Sequence, residues 1–132
     1  MKTKTLALLF IIVTAISCIN NDDDSSNNLL LGTWKLTEVL ADPGDGSGTF
    51  TAVNSNKNLQ FNNNGTLSSN GAICDMSIGT TASSVGTYST ANYTITSSNC
   101  QNNTIQYELN GDTLILIYPC IEPCKAKYSR VQ

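Results

Sequence analysis

The residues best suited to chemistry in this chain of 132 residues are its five cysteines, since the sequence contains no histidine. Four of them, Cys74, Cys100, Cys120 and Cys124, lie beyond residue 70. An even number of cysteines in an exported domain favours disulfide bonds, and four cysteines allow three pairings. A zinc site normally uses other spacings than Cys120-x3-Cys124 and is often completed by histidine. We therefore predict two disulfides and no bound metal.

The N-terminal residues are typical of a secretory signal. Lys2 and Lys4 supply a positive start, and residues 6–16 form the apolar run LALLFIIVTAI. This run fits the apolar part of a signal peptide and is shorter than the roughly 20 residues of a membrane-spanning helix. A small residue, Ser17, then precedes Cys18. The pattern predicts that residues 1–17 are a signal peptide.

The segment around Cys18 resembles the lipobox of bacterial lipoproteins, with the sequence AISC over residues 15–18. The resemblance implies that Cys18 carries fatty acyl chains such as palmitate and anchors the protein to a lipid bilayer. Residues 18–28 are polar and aperiodic, which predicts a disordered tether. The acidic run over residues 22–24 resembles the export signal of Bacteroidetes surface lipoproteins. This second resemblance implies an outer-membrane protein facing the cell surface rather than the periplasm.

The remaining residues, 29–132, are enough for one domain with one modest core. They carry seven acidic and five basic side chains and no basic patch, so nucleic acid is not an expected partner. Without histidine, and with the cysteines predicted to be oxidised, the usual nucleophile–base pairs are missing. We therefore predict a domain that is not an enzyme and needs no cofactor.

The domain is predicted to be all-β. No long segment repeats apolar residues with a helical period, and short β-branched and aromatic runs alternate with Asn, Gly, Asp and Ser. This pattern predicts eight strands, at Thr33–Val39, Asn58–Asn62, Thr66–Ile73, Ser84–Ser89, Tyr93–Ser97, Thr104–Leu109, Thr113–Tyr118 and Ala126–Val131.

The connections between these strands alternate between short and long. Short turns occupy residues 63–65, 90–92 and 110–112, and the last contains the Asn-Gly pair typical of hairpins. All four later cysteines lie in the longer connections. Because antiparallel strands alternate in direction, the short turns fall at one end and the cysteines at the other. We expect an up-and-down antiparallel barrel with a cysteine-braced mouth.

The pairing of the cysteines stays open at this stage. A hairpin centred near Asn110-Gly111 brings Cys100 opposite the last two cysteines, so that Cys100 could pair with Cys120 or Cys124. The other option joins Cys74 to Cys100 and Cys120 to Cys124.

The first and last strands resemble those of the lipocalin-like family. Gly32 and Trp34 form a Gly-x-Trp motif, Arg130 lies in the last strand, and the segments LLGTWKLTEV, NGDTLILIYP and CKAKYSRV resemble small lipocalin-like domains of Bacteroidetes lipoproteins. The resemblance implies an eight-stranded barrel in which Arg130 packs on Trp34 across the closed end. A barrel of this size can hold one small ligand, here an apolar or amphipathic one.

Alternation along the strands predicts which side chains face the interior. The candidates include Val85 or Tyr88, and the polar residues Ser69 and Thr87. The middle strands are poor in large apolar residues, so that side of the barrel either leaves a cavity or is thin and partly open. The residues predicted to face a ligand are Leu36, Phe61, Tyr93, Tyr107, Leu116 and Tyr118.

Two functions follow from these alternatives. The protein is a tethered module that binds a small hydrophobic ligand at the mouth, or it has a filled core and contacts an envelope protein, as a structural component or an inhibitor. Residues 42–48 are acidic and glycine-rich but lack the spacing of a calcium loop, so we expect a mobile loop suited to partner contacts. Asp112-Thr113-Leu114 resembles a bacterial O-glycosylation site, which implies a glycan on Thr113.

Overall fold

The computed structural model describes residues 29–101 and 104–132. The predicted signal peptide, the tether and Cys18 lie outside the described residues. Within the described ranges, no helix is long and apolar enough to cross a membrane.

The strands form a single antiparallel sheet that closes on itself. The last strand pairs with the first through seven residue pairs, from Trp34 opposite Arg130 to Ala41 opposite Cys124. A short 3-10 helix covers Ser98–Cys100. The strands are β1 Gly32–Ala41, β2 Thr51–Ala52, β3 Asn58–Phe61, β4 Thr66–Ser69, β5 Ser84–Ser89, β6 Thr94–Thr96, β7 Thr104–Asn110, β8 Thr113–Ile117 and β9 Cys124–Arg130.

The short strand β2 was not predicted, yet it does not change the size of the ring. Glu38 of β1 pairs with Ala52 and Lys127, and Lys35 of β1 pairs with Asn58 and Ser129. Both β2 and β3 therefore lie on the edge of β1 that faces away from β9, as one interrupted strand. The predicted eight-stranded up-and-down barrel is confirmed.

The apolar residues of the strands alternate as predicted and meet in one core. In β8, Leu114 and Leu116 are fully buried, whereas Ile115 and Ile117 lie on the outer face and are partly buried. The buried core consists of Leu30, Trp34, Leu36, Leu59, Phe61, Leu67, Ile73, Ile95, Cys100, Ile105, Tyr107, Leu114, Leu116, Tyr118, Cys124, Ala126 and Tyr128.

The prediction for the strand at Thr66–Ile73 was too long, because β4 ends at Ser69. Beyond Ser69 the chain packs so closely against a later part of the same loop that a Cβ atom on Gly71 would lie 2.4 Å from the carbonyl oxygen of Gly79. Ile73 is fully buried although it lies outside the strand. Its burial comes from the loop that follows β4 and not from strand alternation.

The interior position predicted for Tyr93 was also wrong. Tyr93 has a φ of +54° and is 54 % exposed, so it belongs to the turn before β6. In β5, Val85 is exposed, whereas Tyr88 is half-buried and its ring packs edge-on against Phe61. Thr87 is exposed as well, in contrast to the expectation that it faces inward. Side chains along a strand point alternately to its two faces. Because Tyr88 faces the interior, Val85 and Thr87 lie on the outer face.

The closed end of the barrel is fastened by Arg130. Its guanidinium carbon lies 4.3 Å from the centroid of the Trp34 ring, which is a cation–π contact. The same guanidinium donates hydrogen bonds to the carbonyl oxygens of Leu29 and Leu31, the latter at 2.7 Å. Its Nε atom donates to the Asp112 carboxylate at 2.9 Å. One side chain thus joins the first strand, the segment before it and the β7–β8 turn.

The segment before β1 is fixed by two further features. The indole N–H of Trp34 donates to the carbonyl oxygen of Leu30 at 2.8 Å. Gly32 has a φ of +111°, a conformation that other residues adopt only with strain. The Gly-x-Trp motif therefore provides the backbone bend, and Trp34 provides the platform for Arg130.

We predict that Arg130→Ala lowers the free energy of unfolding by about 2–3 kcal/mol, since it removes the cation–π contact and several hydrogen bonds. Lys35→Ala is the control, because the Lys35 side chain on β1 is exposed and substitutions at such positions usually change stability by about 0.5 kcal/mol or less. Urea unfolding followed by Trp34 fluorescence measures both variants. Equal losses in the two variants would contradict the role given to Arg130.

Candidate functional site

The mouth of the barrel is covered by residues 70–83, which join β4 to β5 and which we call the plug loop. Ile73 of this loop is fully buried. The buried hydroxyl of Ser84 accepts a hydrogen bond from the Ile73 N–H at 3.1 Å and donates to the Gly71 carbonyl oxygen at 2.7 Å. These contacts hold the plug loop against the core instead of leaving the mouth open.

A buried lysine fastens the plug loop from below. Lys57 is fully buried, and its ammonium group donates to the carbonyl oxygens of Asp75 at 3.2 Å and Ser77 at 2.8 Å. Burial lowers the pKa of Lys57, and the nearby charge of Asp75 acts in the opposite direction. Beside it, the Ser55 hydroxyl donates to the carbonyl oxygen of Ile78 at 2.7 Å. The ammonium group therefore stabilises the plug loop through hydrogen bonds to its backbone.

Five of the six side chains predicted to face a ligand do face the interior. Leu36, Phe61 and Leu116 are essentially fully buried, and Tyr107 and Tyr118 are at most 5 % exposed. They pack within one continuous cluster of core side chains. The interior positions are thus occupied by the protein's own residues.

The sixth, Tyr93, lies with Tyr107 at the closed end. Their ring centroids are 5.7 Å apart, and both line a small hollow of about 140 Å³ beside Leu29 and Leu109. The Tyr107 hydroxyl donates to the Ser89 carbonyl oxygen at 3.2 Å. Ligand pockets for small molecules usually measure about 300–1,000 Å³. This hollow is therefore smaller than a typical ligand site.

Two phenol groups, those of Tyr118 and Tyr128, are buried close to each other in the core. Burial raises the pKa of Tyr118 well above its usual value, and it raises the pKa of Tyr128 in the same way. The interaction between the two hydroxyls adds to the raised pKa of Tyr118 and acts in the opposite direction on Tyr128. Both groups stay neutral at physiological pH, because burial disfavours the charged phenolate.

The four later cysteines form two disulfides at the mouth. Cys74 in the plug loop pairs with Cys100, and their Cα atoms are 5.0 Å apart. Cys120 pairs with Cys124, and their Cα atoms are 6.0 Å apart. This is the second of the two pairings that the sequence left open. The first bond ties the plug loop to the β6–β7 connection, and the second closes a short loop on the rim.

A larger hollow lies outside the ring, on the outer face of β4, β5 and β6. This outer groove measures about 800 Å³, and outward side chains including Thr66, Ser68, Val85, Thr87 and Thr96 line it. The hydroxyls of Thr87 and Thr96 lie 2.9 Å apart across two strands. The groove is open and uncharged, with hydroxyl groups surrounding the exposed Val85 side chain. None of the six residues predicted to face a ligand lines it.

The acidic loop over residues 42–48 binds its own backbone. The Asp42 carboxylate accepts hydrogen bonds from the N–H groups of Gly44, Gly46 and Gly48, at 2.7, 3.0 and 2.7 Å. These bonds lower the pKa of Asp42, the bond from Gly48 most strongly. Across the described residues, no group of three or more potential metal ligands is brought together. The carboxylate oxygens of Asp42 thus shape the turn.

Thr113 opens β8 at the closed end, where it pairs with Asn110 and Ser129 and is half-buried. Its neighbour Asp112 is exposed and forms the ion pair with Arg130. The glycan on Thr113 remains a prediction.

Sequence reasoning missed Lys57, the side chain that holds the plug loop. Lys57 lies two residues before Leu59 and four before Phe61, and all three are buried. Extending the alternation of β3 by one step towards the N-terminus would have placed Lys57 on the interior face. Lysine side chains are mostly exposed in proteins, so the position of Lys57 in this alternation was not taken as evidence of burial.

We predict that the two disulfides stabilise the fold unequally. The bonds join residues 26 and 4 positions apart. Loop-closure entropy then gives contributions of about 3.5 kcal/mol for Cys74–Cys100 and about 2 kcal/mol for Cys120–Cys124. Double serine variants of each pair, compared by urea unfolding, measure the difference. A larger loss from Cys120→Ser with Cys124→Ser would contradict this ranking.

We also predict that the buried tyrosines make the fold sensitive to alkali. An unfolded tyrosine ionises near pH 10, whereas burial raises the pKa of Tyr107 to about 12 and that of Tyr128 further. Above pH 10 the folded state therefore binds more protons, and the free energy of unfolding falls as the pH rises. Each such tyrosine contributes at most about 1.4 kcal/mol per pH unit.

Tyr118→Phe combined with Tyr128→Phe should flatten this dependence, because it removes two phenol groups whose pKa values burial raises. Tyr93→Phe is the control, because Tyr93 is 54 % exposed and lies outside the buried core. Urea unfolding between pH 7 and 11 gives the slope for each variant. A double variant with an unchanged slope above pH 10 would refute this account.

Comparison with known families agrees with this architecture. The profile of the Lipocalin-like domain matches residues 30–117, from the segment before β1 to the end of β8. Searches of curated proteins and of solved structures gave no match. The match does not reach β9, so the family profile does not cover the closing strand or Arg130. Lipocalin-like domains are generally not catalytic. The extent of the match and the closed ring of eight strands show that this chain belongs to the lipocalin-like domain family.

Proposed function

We propose that this protein is a lipid-anchored envelope protein whose lipocalin-like barrel works with a filled core and contacts a protein partner through its surface loops. One observation carries the proposal: the interior positions are occupied by buried side chains, and the plug loop covers them. A hydrophobic ligand at the mouth would have to displace Ile73 and the contacts of Lys57. Each contact that must be broken lowers the affinity for such a ligand.

The construction of the mouth supports this reading. The plug loop is tied by Cys74–Cys100 and by hydrogen bonds to Lys57, Ser55 and Ser84. Binding loops with a fixed shape lose little conformational entropy when they engage a protein surface. A mouth whose loops are fixed in this way is better suited to binding a protein surface than to letting a ligand pass into the core.

The proposal includes an anchor at Cys18, which rests on the lipobox resemblance. The geometry of the barrel is compatible with it, since Leu29 lies at the closed end beside Arg130. A tether over residues 18–28 would leave from that end and reach on the order of 20 Å. Two or more acyl chains would hold the protein stably, because each buried CH₂ contributes about 0.8 kcal/mol. The outer membrane, with the domain at the cell surface, is the location we propose.

A second function is favoured by the outer groove. Its volume of about 800 Å³ falls within the usual range for small ligands, and its lining combines the exposed Val85 with threonine and serine hydroxyls. An amphipathic molecule could place its apolar part against Val85 and its polar part against the hydroxyls. Under this alternative the ligand lies outside the barrel and not within it.

One experiment separates these functions. The purified protein is incubated with a fluorescent fatty acid, and retention is measured by native mass spectrometry together with a Val85→Trp variant that fills the outer groove. We expect no retained probe at micromolar concentration. Retention that is lost in Val85→Trp would favour the groove. Retention that survives in Val85→Trp would favour the interior and overturn the filled-core proposal.

The anchor is tested separately. We expect Cys18→Ala to shift the protein from the membrane fraction to the soluble fraction, and to abolish labelling with a clickable palmitate analogue. Mass spectrometry of the mature N-terminus should find an acylated species that starts at Cys18. A mature chain without acyl groups that begins at another residue would reject the anchor.

A further inference from the structure

The rim of the barrel carries a short loop, residues 119–123, that we call the tip loop. All five residues are exposed, and the side chain of Ile121 is 101 % exposed. A large aliphatic side chain left wholly in water gives up the stabilisation that burial would provide. The tip loop therefore presents its apolar residue outward, at no benefit to the fold of the barrel itself.

The tip loop is held in shape although it protrudes. The Cys120–Cys124 disulfide closes it at its base. The N–H of Tyr118 donates to the Cys124 carbonyl oxygen at 3.1 Å, and that of Cys120 donates to the Tyr118 carbonyl oxygen at 2.9 Å. Two prolines, Pro119 and Pro123, restrict φ on either side of Ile121. Such a loop binds with a small loss of conformational entropy.

The surroundings of Ile121 are acidic. A Cβ atom on Gly44 would lie 3.2 Å from the Glu122 carboxyl group, so the tip loop touches the 42–48 loop, which contributes Asp42 and Asp45. The Asp42 N–H also donates to the Pro123 carbonyl oxygen at 2.9 Å, which joins the two loops. The nearest base along the chain is Lys125 of β9. The surface formed by the tip loop and the 42–48 loop thus places the apolar Ile121 side chain beside an excess of negative charge.

The position of the tip loop argues against the bilayer as its partner. The tip loop lies at the mouth, whereas Leu29, where the proposed tether begins, lies at the closed end. A strand of ten residues with a tilt of about 40° separates the two ends by about 25 Å. An acidic surface is also repelled by anionic lipids.

We propose that the tip loop is a docking element that inserts Ile121 into an apolar pocket of a protein partner, and that basic side chains around this pocket pair with Glu122 and Asp45. The inference rests on the proposed function and specifies its contact surface. The partner's pocket buries one aliphatic side chain, and its basic rim steers the encounter.

The first test is photocrosslinking in intact cells. The photoreactive residue p-benzoylphenylalanine replaces Ile121, Val85 or Val131 in the full-length chain, and Val131 is the matched control because it is half exposed at the closed end. We expect one discrete protein adduct from position 121 and none from position 131. A lipid adduct, no adduct, or equal adducts from positions 121 and 131 would overturn the inference.

Failure of this inference differs from failure of the proposed function. A protein adduct from position 85 with none from position 121 would refute the tip loop but keep the protein-interaction role. Absence of protein adducts from all three positions would count against both.

The second test uses the captured partner in purified form. We expect Ile121→Asp to weaken binding at least tenfold, while Ile121→Val stays within threefold. Glu122→Gln should weaken binding less and reduce its dependence on salt. The double variant Cys120→Ser with Cys124→Ser should weaken binding severalfold although it retains Ile121. Near-ultraviolet circular dichroism of Trp34 verifies that this double variant is folded. Equal affinity of Ile121→Asp and the unaltered protein would refute the inference.

Discussion

The pairing of β1 with β9 is the constraint on which the rest of the structure depends. It converts a sheet with two open edges into a ring of eight strands, in which β2 and β3 count as one interrupted strand, so that every interior residue has a fixed direction. Arg130 fixes this closure at one end, where its guanidinium packs on Trp34 and binds the backbone before β1. Elsewhere the first and last strands are joined by their ladder, by the Glu38–Lys127 ion pair and by a hydrogen bond from the Thr37 hydroxyl to the Lys127 carbonyl oxygen.

The size of the ring then decides what the interior can hold. Eight short strands leave a space that side chains can fill, and here Trp34, Phe61 and Tyr128 are among the largest that fill it. Three serines, Ser69 of β4, Ser84 of β5 and Ser97 directly after β6, are buried with their hydroxyls bonded to backbone carbonyl oxygens. These bonds make small polar residues acceptable in the core. The thin side of the barrel is therefore closed rather than open.

Consequently the features that distinguish this barrel lie on its surface. The plug loop closes the mouth through Lys57 and Cys74–Cys100, and the tip loop beside it projects Ile121 into solvent. The two disulfides thus act differently, since Cys74–Cys100 holds the plug loop over the core and Cys120–Cys124 shapes the exposed tip loop. A protein that used its interior for binding would need the opposite arrangement, with a movable covering over an unfilled space.

The sequence by itself determined the strands, their order and the gathering of four cysteines at one end, because strand alternation and turn residues are local signals. It also determined the meeting of Trp34 and Arg130, since each lies at a known end of the ring. Only the tertiary structure decided the cysteine pairing, the burial of Lys57 and the exposure of Tyr93. These depend on how the plug loop folds over the mouth and on one left-handed turn residue. The Cys74–Cys100 bond and the hydrogen bonds of the Lys57 ammonium group join residues far apart in the chain, and strand alternation, which acts locally, does not specify these partners.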